Sequence, residues 1–328
     1  MKEGDSVNTF QRYLSEEVAE DFQEGRLPRR EAVKLIASVS GSLLFAEALL
    51  AACAPASTSP TQTPLLPPTS TEAVSNPTAS DAQATAPSPG GTVSPNDPDV
   101  HAEPVEFAAD DTQVAGYLAR PSAEGTFPVI LVCHENRGLT KHIRDVARRL
   151  AKAGYVALAV DLLSRQGGSE TVGEGSVPGV LGNQPPEQFA ADFRAGWQFT
   201  GTLPYADAVR MGMVGFCFGG GVTWLAATRM PELLAAVPFY GPHPSVADVA
   251  GIRAAVLAIY AGRDDRINAG IPAIEAAMHQ QGKIYEKVIF PDVDHAFHND
   301  TGPRYAPEAA RDAWARTLAW FDRYVRSG

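Results

Sequence analysis

The sequence has few residues of the kinds that build metal or nucleotide sites. It contains three cysteines and seven histidines in 328 residues, and their spacing nowhere matches a set of metal ligands. It has no phosphate-binding loop, and the glycines at residues 219–221 do not complete the dinucleotide-binding fingerprint. We therefore predict no metal and no cofactor.

The sequence also has fewer basic than acidic residues. The 27 lysines and arginines are outnumbered by 38 acidic residues, which gives a formal net charge of −11. No run rich in lysine or arginine occurs in the C-terminal two thirds of the chain. A nucleic-acid partner needs such a basic patch, so we predict none.

Residues 54–98 lack every aromatic residue as well as lysine and arginine. Proline, serine, threonine and alanine make up most of this stretch. Such a composition cannot bury enough apolar surface to offset the entropy lost on ordering. The sequence therefore predicts a disordered linker over residues 54–100.

The segment before the linker has the layout of an export signal. Arg29 and Arg30 follow a polar region and precede a largely apolar run at residues 35–52. Twin arginines ahead of an apolar segment resemble a twin-arginine export signal. We expect residues 1–53 to be an export signal peptide.

The end of that segment carries a second signal. Leu-Ala-Ala-Cys at residues 50–53 resembles the lipobox, where bacterial lipoproteins are cleaved and acylated on the new N-terminal cysteine. A transmembrane anchor is the alternative, but the apolar run is barely long enough and contains Glu47. We predict lipidation of Cys53 and a membrane-anchored lipoprotein, periplasmic or on the cell surface, that contacts the membrane only through its lipid.

Apolar, strand-like runs alternate with helical patterns through residues 101–328. The predicted strands are 105–107, 113–119, 127–133, 155–160, 211–214, 235–239, 254–260 and 285–290, and the main predicted helices are 143–153, 186–201, 271–281 and one after Pro307. This alternation is typical of a mostly parallel sheet with helices on both faces. We predict one α/β domain, with its active residues at the carboxyl ends of strands.

Residues 215–219 read Gly-Phe-Cys-Phe-Gly, the pattern of a nucleophile elbow with Cys217 in the serine position. The glycines fit because larger side chains there would collide with the neighbouring strand or helix. The same turn directs the backbone N–H of Phe218 toward a developing oxyanion. The alternative is a small buried core cysteine in a glycine-rich turn.

Two further polar residues follow predicted strands. Asp264 comes after the strand that ends at Tyr260, and His295 after the strand that ends at Phe290. Nucleophile, acid and histidine in this chain order are typical of the α/β-hydrolase fold. Each residue alone could be a solvated loop residue, but together they favour a Cys-His-Asp triad.

The domain resembles the dienelactone hydrolase family from about residue 104 to residue 324. The matching pieces are residues 133–138 (Cys-His-Glu-Asn-Arg-Gly), 161–166 (Asp-Leu-Leu-Ser-Arg-Gln), 215–220 and 294–297 (Asp-His-Ala-Phe). The resemblance implies that Cys217 is the nucleophile and His295 the base. It implies Asp264 as the acid rather than Asp265, because the family's acid lies four residues before the position of Asn268.

Other roles also follow from the resemblance. The N–H groups of Asn136 and Phe218 would form the oxyanion hole, and Glu135 would keep the thiol protonated until substrate displaces it. Arg165 would bind a substrate carboxylate. The family's second substrate arginine is replaced by Asn299, which remains a predicted substrate-binding position, and Arg304 is a nearby cation that could compensate.

These features predict a monomeric hydrolase that cleaves esters or lactones through a thioester, as a carboxymethylenebutenolidase or a broader carboxylesterase. Loss of one arginine favours the broader range, because two cations hold a carboxylate better than one. Two alternatives remain: a non-catalytic small-molecule-binding lipoprotein that uses the same cleft, and an enzyme that transfers the acyl group to another acceptor.

Overall fold

The computed structural model describes residues 7–52 and 91–327. The strands in these ranges form one sheet, and helices pack around it. They are β1 (Val100–Ala109), β2 (Thr112–Pro121), β3 (Phe127–Cys133), β4 (Val156–Val160), β5 (Ala206–Phe216), β6 (Ala235–Phe239), β7 (Ala255–Ala261) and β8 (Tyr285–Phe290).

The sheet has the order β1-β2-β4-β3-β5-β6-β7-β8. β2 is antiparallel to β1 and β4, and all pairs from β3 to β8 are parallel. The middle strands β4, β6 and β7 are buried along their whole length, which explains why they appear in the sequence as unbroken apolar runs. The predicted α/β fold with a mostly parallel sheet is confirmed.

Helices cover both faces of this sheet and also precede it. They are α1 (Thr9–Gln23), α2 (Arg29–Ser40), α3 (Leu43–Ala52), α4 (Lys141–Lys152), α5 (Ser169–Val172), α6 (Val177–Gly182), α7 (Pro186–Thr200), α8 (Phe218–Arg229), α9 (Asp265–Asn268), α10 (Ile271–Gln280) and α11 (Pro307–Phe321). The glycine-rich stretch at residues 166–184 contains α5 and α6.

The three N-terminal helices pack against one another and onto the sheet domain. α1 begins with a capping box, in which Asn8 and Gln11 exchange side-chain-to-backbone hydrogen bonds of 2.9 and 3.0 Å. One face of α1, including Phe10 and Leu14, joins the main hydrophobic core. Its other face forms a second cluster with α2 and α3.

A second contact joins α2 to α6. The amide of Asn183 donates to the carbonyl of Ser38 at 2.6 Å, and a Cβ on Gly182 would lie 2.8 Å from a methyl group of Val39. The N-terminal helices therefore contact the domain at α8 through α1 and at α6 through α2.

The predicted signal and linker fall partly outside the described residues. Cys53 and residues 54–90 lie outside them, whereas Val93 is buried in the main core, where its N–H donates to Asp145 at 2.7 Å. No helix among the described residues is both long and apolar enough to span a bilayer.

Candidate active site

Cys217 lies at a sharp turn between the end of β5 and the start of α8. Its backbone angles are φ 58° and ψ −122°, a conformation that residues other than glycine seldom adopt. A Cβ on Gly215 would lie 2.1 Å from the carbonyl oxygen of Gly219, and one on Gly219 would lie 2.5 Å from that of His134. Both flanking positions therefore require glycine, for the reason of crowding that the sequence suggests.

His295 and Asp264 meet beside this turn, since both follow parallel strands at the same edge of the sheet. His295 Nδ1 and Asp264 Oδ2 are 2.6 Å apart. Asp264 Oδ1 also accepts from the N–H of Ile267 at 3.2 Å, which caps α9. Burial alone would raise the pKa of Asp264, but the charge and hydrogen bond of His295 hold it below its usual value. Asp264 is thus an ionised acceptor that orients the imidazole.

A tyrosine from α1 lies against the nucleophile and the histidine. The phenol oxygen of Tyr13 is 3.1 Å from Cys217 Sγ and 3.3 Å from His295 Nε2. Cys217 is 3% exposed and His295 is 2% exposed. With α1 in this position, the sulfur and the imidazole are shielded from solvent.

Glu17, one turn further along α1, adds a carboxylate to the same group. Its oxygens lie 3.9 Å from Cys217 Sγ and 3.6 Å from His295 Nε2, and it forms an ion pair with Arg266. Burial lowers the pKa of His295, but the charges of Glu17 and Asp264 outweigh that effect and raise it well above its usual value. These charges therefore favour the protonated imidazole, the form that cannot act as a base.

Glu135, Asn136 and Asn299, three of the remaining predicted site residues, line the cleft. Asn299 Nδ2 donates to Glu135 Oε2 at 2.6 Å, and Asn136 is beside them. Phe218 is the first residue of α8, where backbone N–H groups have no acceptor within the helix. The carboxylate at 3.9 Å from the sulfur belongs to Glu17, while Glu135 is engaged with Asn299.

Arg165 is placed differently from the other predicted site residues. Its guanidinium donates to Asp192 at 2.9 Å and to Asp111 at 3.4 Å, and within the described part of the chain it is not among the residues that line the cleft. A contact between Arg165 and a substrate in the cleft would require this guanidinium to leave Asp192.

The cleft around the thiol has a volume of about 700 Å³. Ser169 and Glu174, from the glycine-rich stretch at residues 166–184, line it. Its rim also carries Arg137, Lys141, Arg144 and Arg304.

Three residues of this site were not identified from the sequence: Tyr13, Glu17 and Arg266. The first two lie in the segment that reads as an export signal, far from every catalytic motif. Arg266 is two residues after Asp264, and that proximity was the one available signal.

Glu17, Cys217 and His295 also form a group that could hold a metal ion, with ligand atoms within 4.8 Å of one another. Such residue types suit zinc. Arg266 already pairs with Glu17, and its positive charge opposes a cation at the same carboxylate.

Hydrogen bonds and ion pairs in a buried polar network connect the loop that carries His295 to α4. Asp300 accepts from His142 at 2.8 Å and pairs with Arg149, which also donates to Asp145 at 2.6 Å. Burial alone would raise the pKa of Asp300, but the hydrogen bond from His142 and the charge of Arg149 depress it strongly. The network is thus stabilising when Asp300 is ionised.

We expect Asp300→Ala to lower the free energy of unfolding by about 2–4 kcal/mol, because Arg149 and His142 lose a buried partner. Asp312→Ala is the matched control: its pair with Arg316 is half exposed, so the loss should stay below about 0.5 kcal/mol. Urea unfolding measures both. The difference should be full above about pH 4, the usual Asp pKa. It should shrink below that pH, because the unfolded carboxylate takes up a proton there while the native one stays ionised to lower pH. Equal effects of the two variants would contradict the stabilising role of the network.

Comparison with known proteins relates the sheet domain to one family. A sequence profile of the dienelactone hydrolase family matches residues 114–325. A candidate carboxymethylenebutenolidase of Methylorubrum extorquens is 38% identical over 233 residues, covering 67% of this chain and 80% of that protein. Another, from Escherichia coli, is 32% identical over 246 residues, covering 66% and 89%.

A solved structure agrees with the sequence comparison. The crystal structure of a candidate dienelactone hydrolase from Klebsiella pneumoniae superimposes with a TM-score of 0.65 at 32% identity. The match covers 69% of this chain and 99% of that one. The relative is thus a protein made of the matched region alone.

Proposed function

Since the chain belongs to the dienelactone hydrolase family, we propose that it hydrolyses esters or lactones through a thioester on Cys217. The observation that carries this proposal is the 2.6 Å contact between His295 Nδ1 and Asp264 Oδ2 beside the strained turn at Cys217. A histidine oriented by a buried carboxylate, next to an aimed thiol, is the arrangement that nucleophilic catalysis needs.

The first half of the proposed reaction acylates the enzyme. The Cys217 thiol gives its proton to Glu135 and the sulfur attacks the substrate carbonyl, forming a C–S bond. The N–H groups of Phe218 and Asn136 stabilise the negative oxygen. The C–O bond to the leaving group then breaks, and protonated His295 gives that oxygen its proton. With a lactone, the leaving alcohol stays attached to the acyl group.

The second half releases the acid. Neutral His295 takes a proton from water, whose oxygen attacks the thioester carbon, and the C–S bond breaks. The sulfur regains its proton from Glu135, His295 stays protonated for the next cycle, and the carboxylic acid leaves. Thiolate is a good leaving group, so this step needs only the base and the oxyanion hole.

Glu135 has a separate proposed role as the first acceptor of the thiol proton. For this, its carboxylate must turn from Asn299 toward the sulfur, a rearrangement that an entering substrate would cause by displacing it. Until then the thiol stays protonated, which protects it from oxidation because the thiolate is the reactive form.

We propose a broad range of small ester and lactone substrates. The cleft of about 700 Å³ accommodates a small molecule. Asn299 stands where the family's second substrate arginine is expected, and Arg165 is paired with Asp192. Arg304 lines the cleft together with Arg137, Lys141 and Arg144, and these cations would attract a substrate carboxylate.

We also propose that the domain is exported and lipid-anchored as a monomer. The sequence of residues 1–53 supports this, and Arg29 and Arg30 remain exposed at the start of α2, where a receptor can reach them.

Trapping the acyl-enzyme tests the proposed chemistry. After mixing with p-nitrophenyl acetate and acid quench, we expect an acetyl group on the peptide that contains Cys217. Hydroxylamine should remove it, as it does a thioester. An acetyl group on Cys133 or on a lysine, with none on Cys217, would exclude the proposed nucleophile. If a stable chain freed of residues 1–53 neither acetylates nor turns over an ester and lactone panel, the binding lipoprotein would be favoured.

A further inference from the structure

We propose that α1 is an intramolecular plug that closes the active site, and that loss of the N-terminal segment opens it. The inference rests on the proposed function in one respect, that Cys217 is the nucleophile. It concerns a segment outside the region that the family profile matches, residues 114–325.

Tyr13 occupies the position that a substrate must take. A reacting carbonyl carbon has to come within about 3–3.5 Å of the attacking sulfur. The phenol oxygen is already 3.1 Å from Cys217 Sγ, and it is 3.3 Å from His295 Nε2. It therefore blocks the nucleophile and the base at the same time.

Glu17 keeps the imidazole protonated and covers the atom through which it transfers protons. Its carboxylate faces His295 Nε2, which gives a proton to the leaving group and must be neutral to take one from water, and pairs with Arg266 on the other side. The negative charge favours protonated imidazole, as described above. The guanidinium of Arg266 also stacks over the ring of Tyr13, 4.7 Å from its centroid, so both blocking residues are anchored by the same arginine.

Apolar and charged contacts on each side fix α1 in the cleft. The ring of Phe10 lies 5.5 Å from that of Phe189 and 5.3 Å from that of Phe218, the residue beside the nucleophile. At the far end of the helix, Glu20 faces Arg266 and Arg304 at 3.6 and 3.7 Å. The plug thus complements the cleft both in shape and in charge.

The plug lies entirely before the predicted cleavage site. α1, α2 and α3 all end before Cys53, so cleavage there would cut the covalent link between the plug and the domain. A helix held only by noncovalent contacts can then leave on dilution. The chain would be closed as a precursor and open once its export segment is removed.

Two other roles for α1 give different results in the same experiment. Tyr13 and Glu17 could be catalytic groups that complete the site, in which case their loss lowers activity. A metal bound by Glu17, Cys217 and His295 could close the site, in which case a chelator opens it. The phenol oxygen between sulfur and imidazole favours a plug over a catalytic role. The Arg266–Glu17 pair favours a plug over a bound metal.

The test compares the full-length chain with a full-length Tyr13→Ala/Glu17→Ala variant. Arg12→Ala, on the exposed side of α1, is the matched control. The main readout is the rate at which iodoacetamide alkylates Cys217, followed by peptide mass spectrometry, with buried Cys133 as the internal reference for unfolding. We expect Cys217 to react at least about tenfold faster in the double variant, with Arg12→Ala unchanged, because opening governs access to a buried group.

A second version of the chain controls for misfolding of the double variant. It carries a sequence-specific protease site within residues 60–85 of the full chain, and cut and uncut samples are compared after dilution. We expect cutting to accelerate Cys217 alkylation and ester or lactone turnover together, while EDTA changes neither in the uncut chain. If Cys133 reacts along with Cys217, the double variant is unfolded, and the comparison of cut and uncut chains becomes the test.

Equal alkylation rates in the closed and opened forms would overturn the plug. Acceleration of Cys217 alkylation by EDTA alone would also overturn it. Faster alkylation with lower turnover would overturn it too, and would assign α1 to catalysis. Faster alkylation of Cys217 without turnover of any substrate would support the plug and reject the hydrolase. The two proposals therefore fail separately.

Discussion

Cys217→Ala is expected to lower kcat/KM for ester or lactone hydrolysis by about 10⁴-fold or more, because the reaction loses its nucleophile. The measurement uses the chain after removal of its N-terminal segment, so that access does not limit the rate. The fold should persist, since alanine is smaller and keeps the backbone turn that Gly215 and Gly219 permit.

Cys133→Ala is the matched control for this prediction. Cys133 ends β3, is fully buried and, like Cys217, is a free thiol. Its replacement should cost some stability but leave kcat/KM within a few fold. If the Cys217 variant keeps full activity, or if the two variants lose activity equally, the nucleophile is elsewhere.

Asp264→Asn should lower kcat by about 10⁴-fold, as expected when a catalytic histidine loses the carboxylate that fixes its tautomer. Asparagine can still cap α9, so the loss would come from the imidazole rather than from unfolding. The adjacent exposed residue provides the control: Asp265→Asn should leave kcat nearly unchanged.

The same pair of variants has a distinct pH signature. Asp264 is one of the charges that raise the pKa of His295, so its removal should lower that pKa. The acid limb of the pH–rate profile, which reports deprotonation of the base, should move to lower pH in Asp264→Asn and stay in place in Asp265→Asn. An equal loss in both variants, or a large loss only at position 265, would reassign the acid.

The sheet and the turn at Cys217 were predictable because local patterns determine them. Strands buried on both faces are apolar throughout, and a turn as tight as that at residues 215–219 leaves room only for glycine on either side of Cys217. The positions of Asp264 and His295 followed from the same reasoning, because parallel strands bring their carboxyl ends to one edge.

The contacts of α1 were beyond such reasoning. Tyr13 and Glu17 are about 200 residues from Cys217 in sequence, and nothing in the local pattern of α1 indicates which surface it covers. The apolar segment after the twin arginines is interpreted as an export signal from its composition, and composition does not show where the segment packs. The pairing of Arg165 with Asp192 was hidden for the same reason, since it depends on how α7 packs against the sheet.

The contact between Cys217 and Tyr13 also affects how the N-terminal segment can change over evolutionary time. A leader whose only task is recognition by export machinery is free to drift at most positions. With the proposed closure by α1, a change at Tyr13 or Glu17 would alter enzymatic output, and a change at Arg266 would loosen α1. Lineages that keep the segment should therefore inherit these three positions together, and lineages that lose it should release Arg266 from that constraint.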